Sequence, residues 1–225
     1  MNFVEDVREL IGHTPILHIR NTGITERVRL MAKLELFNPG GSVKDRMGVA
    51  LIKDAQERGL LKPGYTIVEA TAGNAGIGIA LAAIGMGYRV VFAVPEKFSI
   101  EKQMIMKALG AEIVHTPLAA GMKGAFEKVD ELLKTIPHSL CLSQFSNPAN
   151  PSAHYEQTGA EIYADLDGEI DYVVAGAGSG GTITGVLRYL KEKNPAVKGV
   201  LADPYGSTMG GGDAGCYAIE GIGNT

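Results

Sequence analysis

Lys44 stands between a glycine-rich bend and an Asp-Arg pair in "NPGGSVKDR" (38–46), where an apolar helical pattern begins. A lysine in the first turn of a helix adds positive charge to the positive end of the helix dipole, so something must offset it. Either Asp45 pairs with it, as for most surface lysines, or the amine is held neutral or covalently bound. Burial and neighbouring positive potential lower an amine's pKa and make lysine a nucleophile toward aldehydes.

Three stretches put glycines where a strand passes into a helix: "NPGGSVKD" (38–45), "EATAGNAGIG" (69–78) and "VAGAGSGGTITG" (174–185). Each can aim backbone N–H groups at an anion, because a helix N-terminus carries unpaired donors and glycine removes the Cβ that would block approach. "GSGGT" (178–182) is the strongest cradle. Its plainer reading is tight helix-on-strand packing, which also wants small residues. A GxxxxGK[ST] loop is excluded because Asp45 follows Lys44. Gly176, Gly178 and Gly181 do fit the dinucleotide pattern GxGxxG, with Asp203 ending the next strand as a ribose-binding acid would. That alternative, a nicotinamide-dependent oxidoreductase, leaves Lys44, "TAGNAG" (71–76) and "SQFSNP" (143–148) unexplained. Pyridoxal phosphate needs a lysine for its aldehyde, a cradle for its phosphate and a hydrogen-bonding group near its ring oxygen. The three loops can supply one each.

The elements that must position these loops alternate. Strands are expected at 29–35, 66–70, 89–94, 112–116, 171–176 and 199–203, and helices at 42–59, 74–86, 99–109, 119–135, 152–165 and 181–193. Such alternation predicts an α/β protein with doubly wound, mostly parallel open sheets and helices on both faces. The composition agrees: 45% hydrophobic residues, 30 glycines and no Trp favour close helix-to-sheet contacts over a sandwich. Net charge is −4 and the 21 basic residues form no run, which excludes nucleic acid and anionic membrane as partners. No signal segment or long apolar run is present, so the cytoplasm is expected. Cys141 and Cys216 read as a small buried hydrophobe or an incidental thiol, and the five histidines show no ligand spacing, so no catalytic metal is expected.

In order along the chain, "ELIGHTPIL" (9–17), "AKLELFNPGGSVKDR" (32–46), "GNAGIGIA" (73–80), "VPEKFSIEKQMIMKALGAEIVHTP" (94–117), "QFSNPANPSAHYEQTGAEI" (144–162), "GAGSGGTITG" (176–185) and "EGIG" (220–223) resemble the cysteine synthase and cystathionine β-synthase family of pyridoxal phosphate enzymes. "PEKFSIEK" and "IEGIG" look closer to the cystathionine β-synthase branch and its bacterial relatives. The resemblance implies the tryptophan synthase β-like fold, with 1–39 and 147–225 in a large cofactor-binding domain and 40–146 in a small mobile one. It implies that Lys44 bonds the cofactor and acts as base on the substrate Cα–H, and that Asn74 bonds the ring oxygen. A helix N-cap is the plain alternative for Asn74. Gly178, Ser179, Gly180, Gly181 and Thr182 would hold the phosphate. Thr71, Gly73 and Gln144, with Ala72 and Ala75 in the same loop, would meet the substrate carboxylate, and Gly221 and Gly223 would line the far wall. The implied reaction is β-replacement on serine, O-acetylserine or cysteine with homocysteine or sulfide, in a homodimer.

The chain departs from that pattern in places. Ala72 and Ala75 stand where cysteine synthases have Ser and Thr, and Asn224 stands where human-type synthases have Tyr. Losing the Ala75-position hydroxyl would weaken substrate binding by about ten- to a hundredfold, and a catalytically impaired relative that keeps the cofactor is the corresponding alternative. The family continues beyond Thr225, so the large domain is expected to lack its C-terminal part and its pyridine-nitrogen partner, with apolar sheet surface exposed.

Overall fold

A computed structural model describes residues 3–224 except 21, 22, 24, 26, 72 and 97. Its larger sheet has four parallel strands in the order β5-β4-β3-β6, from β3 (Thr66–Ala70), β4 (Arg89–Pro95), β5 (Glu112–Thr116) and β6 (Ser139–Leu140). Side chains alternate between its faces with the period of a strand. Ile67, Val90, Phe92 and Val94 join Met47 and Leu51 of α1 (Lys44–Glu57), Ile79 of α2 (Asn74–Ala83) and Met106 of α3 (Ile100–Ala108). Val68, Ala70, Val91 and Ala93 face Ala125 and Val129 of α4 (Gly121–Thr135) on the other side. Every residue of β3 is buried, as a parallel strand covered on both faces requires.

Two smaller sheets complete the architecture. β7 (Tyr172–Ala175) and β8 (Lys198–Leu201) are parallel, and α7 (Gly181–Lys193) covers one face through Val186 and Leu190. Tyr172, Val174 and Val200 on the sheet are exposed, Val174 by 63%. β1 (Ile16–Ile19) pairs antiparallel with β2 (Leu30–Lys33).

β3, β5 and α7 start and stop where their patterns predict. Most other bounds shift by one to three residues, and three features differ in kind. β1 was not expected, because four residues after a proline carry too little alternation to stand out. β6 spans two residues and has no pattern of its own. The helix expected at 152–165 begins earlier, as α5 (Ala149–Ala153), and passes through a π-helical turn (His154–Gly159) before α6 (Ala160–Asp165). Such widened turns carry an extra residue that a 3.6-residue period does not reveal, and they recur at functional sites.

Candidate active site

Lys44 is the first residue of α1 and is half-buried. Among the described residues its amine makes no ion pair, and burial lowers its pKa. Asp45 does not neutralise it: the Asp45 carboxylate turns back and accepts the Gly40 N–H, closing the bend. The Ser42 hydroxyl receives the Lys44 N–H at 3.2 Å. Gly48 and Gly78 bring α1 and α2 together, since a Cβ on Gly78 would strike the Lys44 carbonyl and one on Gly48 would strike the Gly78 carbonyl. Asn74 lies one turn before Gly78, so this contact sets the two helix starts side by side.

Asp45 carries a testable cost. Its Oδ1 is buried without a partner among the described residues, and burial, aided by the charge of Glu35 and opposed by the Gly40 hydrogen bond, pushes its pKa up to about 6. A carboxyl whose folded pKa exceeds the unfolded 3.8 binds its proton more tightly when folded, so stability falls as pH rises between those values. Asp45→Asn is therefore expected to be more stable than the parent above pH 6, on the order of 2 kcal/mol, with the advantage gone near pH 4. Urea denaturation at the two pH values checks this, and an advantage independent of pH contradicts it.

Arg46, two residues after Lys44, is 1% exposed and anchors this helix start. It forks onto Glu35 (Nε and Nη2, both 2.8 Å) and onto Glu161 of α6 (Nη1 2.6 Å, Nη2 2.7 Å). Lys33 of β2 adds a bond to Asp165 and an ion pair with Glu161, both at 2.9 Å.

The loop after β3 begins with Thr71, 3% exposed, whose hydroxyl oxygen accepts the Gly76 N–H at 3.1 Å. That bond caps α2, so Asn74 is not the cap; Asn74 is exposed and its amide makes no hydrogen bond among the described residues. Ala75 is packed in the core at 8% exposure. Ala72 lies outside the described residues. Glu69, 2% exposed, sits two residues before Thr71 and accepts the Leu142 N–H (3.1 Å), the Ser143 N–H (3.0 Å) and the Cys141 thiol (3.4 Å). Ser143 holds φ +59°, which curls these donors onto one oxygen. Glu69 thereby pins the segment carrying Gln144 beside the Thr71 loop. Burial and the neighbouring Glu69 charge push the Cys141 thiol up to about 11, which disfavours the thiolate.

The 178–182 loop leads into α7, whose first turn has no side-chain cap. Part of its glycine signal is packing after all. A Cβ would meet Ile222 at Gly176, the Gly221 carbonyl at Gly178 and the Asn150 amide at Gly181, whereas Gly180, at φ +78°, has only Thr184 at 4.0 Å. Ser179 and Thr182 supply hydroxyls. Gln144, Asn150, Ser179, Gly180 and Gly181 line a cavity of about 130 Å³ at this helix start. The 220–223 loop closes against it through the Gly223 N–H to the Ala177 carbonyl, 2.7 Å. Glu220 pairs with Lys102 of α3, whose ammonium lies near Gly73. Lys44 and Asn74 thus start neighbouring helices, and Asn150 links Gln144 to Ser179. An unpaired, half-buried lysine, an exposed amide and an uncapped helix start with two hydroxyls fit an aldehyde-bearing phosphate ester.

Residues 7–222 match the family described as pyridoxal-phosphate dependent enzyme. The chain belongs to this family. The O-acetylserine dependent cystathionine beta-synthase of Bacillus subtilis (strain 168) is 52% identical over 223 residues, 99% of this chain and 73% of that protein. The crystal structure of the O-acetylserine dependent cystathionine beta-synthase from Helicobacter pylori superposes with a TM-score of 0.94 at 45% identity, covering 99% of this chain and 74% of that one. A hydrogen sulfide-producing enzyme from Fusobacterium nucleatum superposes with a TM-score of 0.93 at 37% identity, covering 99% and 73%. Membership in the pyridoxal-phosphate dependent enzymes overturns the nicotinamide alternative. Asp203, its ribose acid, accepts the Gly210 N–H at 2.7 Å with one oxygen, and its other oxygen is buried without a partner among the described residues. Among the described residues no helix is long and apolar enough to cross a membrane. Glu69, Asn150 and His154 escaped the sequence reading. The signal for the last two was their spacing of four on one helical face, inside the quoted stretch 144–162.

Proposed function

We propose that the chain catalyses β-replacement on serine, O-acetylserine or cysteine with a thiol: homocysteine giving cystathionine, or sulfide giving cysteine. Cysteine as first substrate releases hydrogen sulfide. The observation that carries this reading is Lys44, a half-buried amine without an ion pair among the described residues, in a pyridoxal-phosphate dependent enzyme. The O-acetylserine dependence of the B. subtilis relative and the hydrogen sulfide production of the F. nucleatum one support this reading.

In this reading pyridoxal 5'-phosphate, when bound, supplies an electron sink for the charge left at the substrate Cα. Lys44 would hold its aldehyde carbon and, once Nζ is displaced there by the substrate amine, would take the Cα proton, a role that a burial-lowered pKa favours. Asn74 donates to the ring oxygen. Gly178, Ser179, Gly180, Gly181 and Thr182 hold the phosphate at the start of α7. Thr71, Gly73 and Gln144 meet the substrate carboxylate, with Ala72 and Ala75 in the same loop. The Thr71 oxygen already accepts from Gly76, so its proton is free to point at that carboxylate. Gly221 and Gly223 wall the far side. Residues 40–146 form the smaller domain, which closes on 1–39 and 147–225 when substrate binds, excluding water from Lys44. A cytoplasmic homodimer acting in transsulfuration or cysteine synthesis completes the reading.

The experiment is the visible spectrum of the purified protein before and after serine or O-acetylserine. A yellow band that shifts supports the reading; a band that never shifts favours an impaired relative; no colour with the cofactor supplied overturns the Lys44 role. Ala75→Thr tests the missing hydroxyl. It is expected to lower KM for the amino-acid substrate by about ten- to a hundredfold with kcat little changed. Steady-state kinetics read this out, and an unchanged KM means that a hydroxyl at so buried a position does not reach the carboxylate.

A further inference from the structure

Asn150 and His154 lie one turn apart behind the 178–182 loop, and both are fully enclosed, at 3% and 0% exposure. Each meets one of the loop's hydroxyls. Asn150 Nδ2 lies 2.9 Å from the Gln144 carbonyl and 3.0 Å from Ser179 Oγ. A carbonyl only accepts, so Nδ2 is the amide nitrogen, and its two hydrogens serve one partner each. Ser179 therefore accepts from behind, and its own proton is left to point forward.

His154 repeats the arrangement. Its Nε2 lies 3.2 Å from Thr182 Oγ1 and its Nδ1 3.0 Å from Thr158 Oγ1, inside the π-helical turn. Burial, with the positive charges of Lys44 and Arg46 added, holds the imidazole neutral, at a pKa of about 3, so only one ring nitrogen carries hydrogen. With hydrogen on Nδ1, Nε2 would draw the Thr182 proton inward and turn oxygen lone pairs toward the anion. With hydrogen on Nε2, Thr158 donates to Nδ1, Nε2 donates to Thr182, and the Thr182 proton faces outward. Only the second arrangement matches what Asn150 does to Ser179.

We propose that Asn150 and His154 are positioning residues that turn the hydroxyl protons of Ser179 and Thr182 toward the cofactor phosphate, with His154 in the Nε2–H form. The inference rests on the phosphate-loop reading above. It gives the widened helical turn a role: the π turn carries both His154 and Thr158, the residue that selects the ring tautomer. Asn150 also ties Gln144 to the phosphate loop, so the donor direction at one end of the site is built from the same amide that holds the other.

The test uses the full chain in its cofactor-loaded form, labelled with 15N at histidine. The expected NMR result is a neutral His154 with hydrogen on Nε2; hydrogen on Nδ1 overturns the proposal. Affinity of the cofactor-free protein for pyridoxal phosphate and for pyridoxal gives the second readout. His154→Met is expected to weaken pyridoxal phosphate by about ten- to a hundredfold while leaving pyridoxal unchanged, and His154→Gln, which keeps a donor near Nε2, to restore most of the loss. Equal weakening of both ligands, or no weakening, overturns the role. Thr182→Val and Ser179→Ala separate the two readings. If they weaken the phosphorylated ligand and His154→Met does not, the inference alone fails; if they have no effect, the phosphate-loop assignment fails with it. Should His154→Met not fold, the tautomer decides.

Discussion

Lys44→Ala is expected to lower turnover by on the order of 10³–10⁴ and to remove the covalent attachment of pyridoxal phosphate. Two roles vanish together, the bond to the aldehyde and the proton acceptor at the substrate Cα, and among the described residues no other amine is half-buried and unpaired at this helix start. Arginine separates charge from chemistry. Lys44→Arg keeps a cation, but a guanidinium stays protonated and neither attacks an aldehyde nor accepts a proton. Both variants should therefore fail alike. Borohydride reduction followed by peptide mass mapping checks attachment in the parent, and rate assays check the rest. Label on another lysine, or turnover within tenfold of the parent in either variant, contradicts the assignment.

Arg46→Met is expected to cost about 3–5 kcal/mol of folding stability, because it removes the one enclosed guanidinium that two carboxylates share and leaves Glu161 only Lys33 as a cationic partner. The effect should depend on pH with a definite sign. Burial opposes ionisation of Glu161, but hydrogen bonds from Arg46, Lys33 and the His13 backbone outweigh it and hold the pKa at about 2, below the ordinary 4.5. A carboxyl depressed in this way stabilises the fold fully above its unfolded value, and that contribution fades as pH falls from 4.5 toward 2. In Arg46→Met the same carboxyls should prefer their protons, so the deficit is largest at neutral pH and shrinks in acid. Urea denaturation at pH 7 and pH 3 measures it; a deficit that stays constant or grows in acid contradicts the account. Arg46→Lys is expected to fall between, since a point charge cannot fork onto two carboxylates.

Much of this was readable from the chain, and the limits have physical causes. β3 and β5 announce themselves because β-branched runs end at glycine or proline, and α7 begins at its glycines and ends where Asn194 and Pro195 follow. Lys44 and the three loops were legible because their residue types are rare in combination. The glycines of 176–181 were only half legible: the same letter suits an anion's approach and the close seating of Ile222, Gly221 and Asn150, and only the fold shows the second use. Arg46 read as part of a motif, yet its partners lie 11 and 115 residues away, beyond any local pattern. Glu69 looked like a polar residue inside a strand; its three donors come from a turn that a positive φ at Ser143 shapes.

The meeting of Gly48 with Gly78 bears on how the site behaves in time. Where two helices touch through side chains, rotamer hops let the gap breathe on the picosecond to nanosecond scale. Here main chain rests on main chain, and the Lys44 carbonyl itself is one of the touching groups. There is no rotamer to hop. The spacing between the start of α1 and the start of α2 is thus set by backbone against backbone, and if the smaller domain proposed above closes, Lys44 and Asn74 are expected to move as one piece.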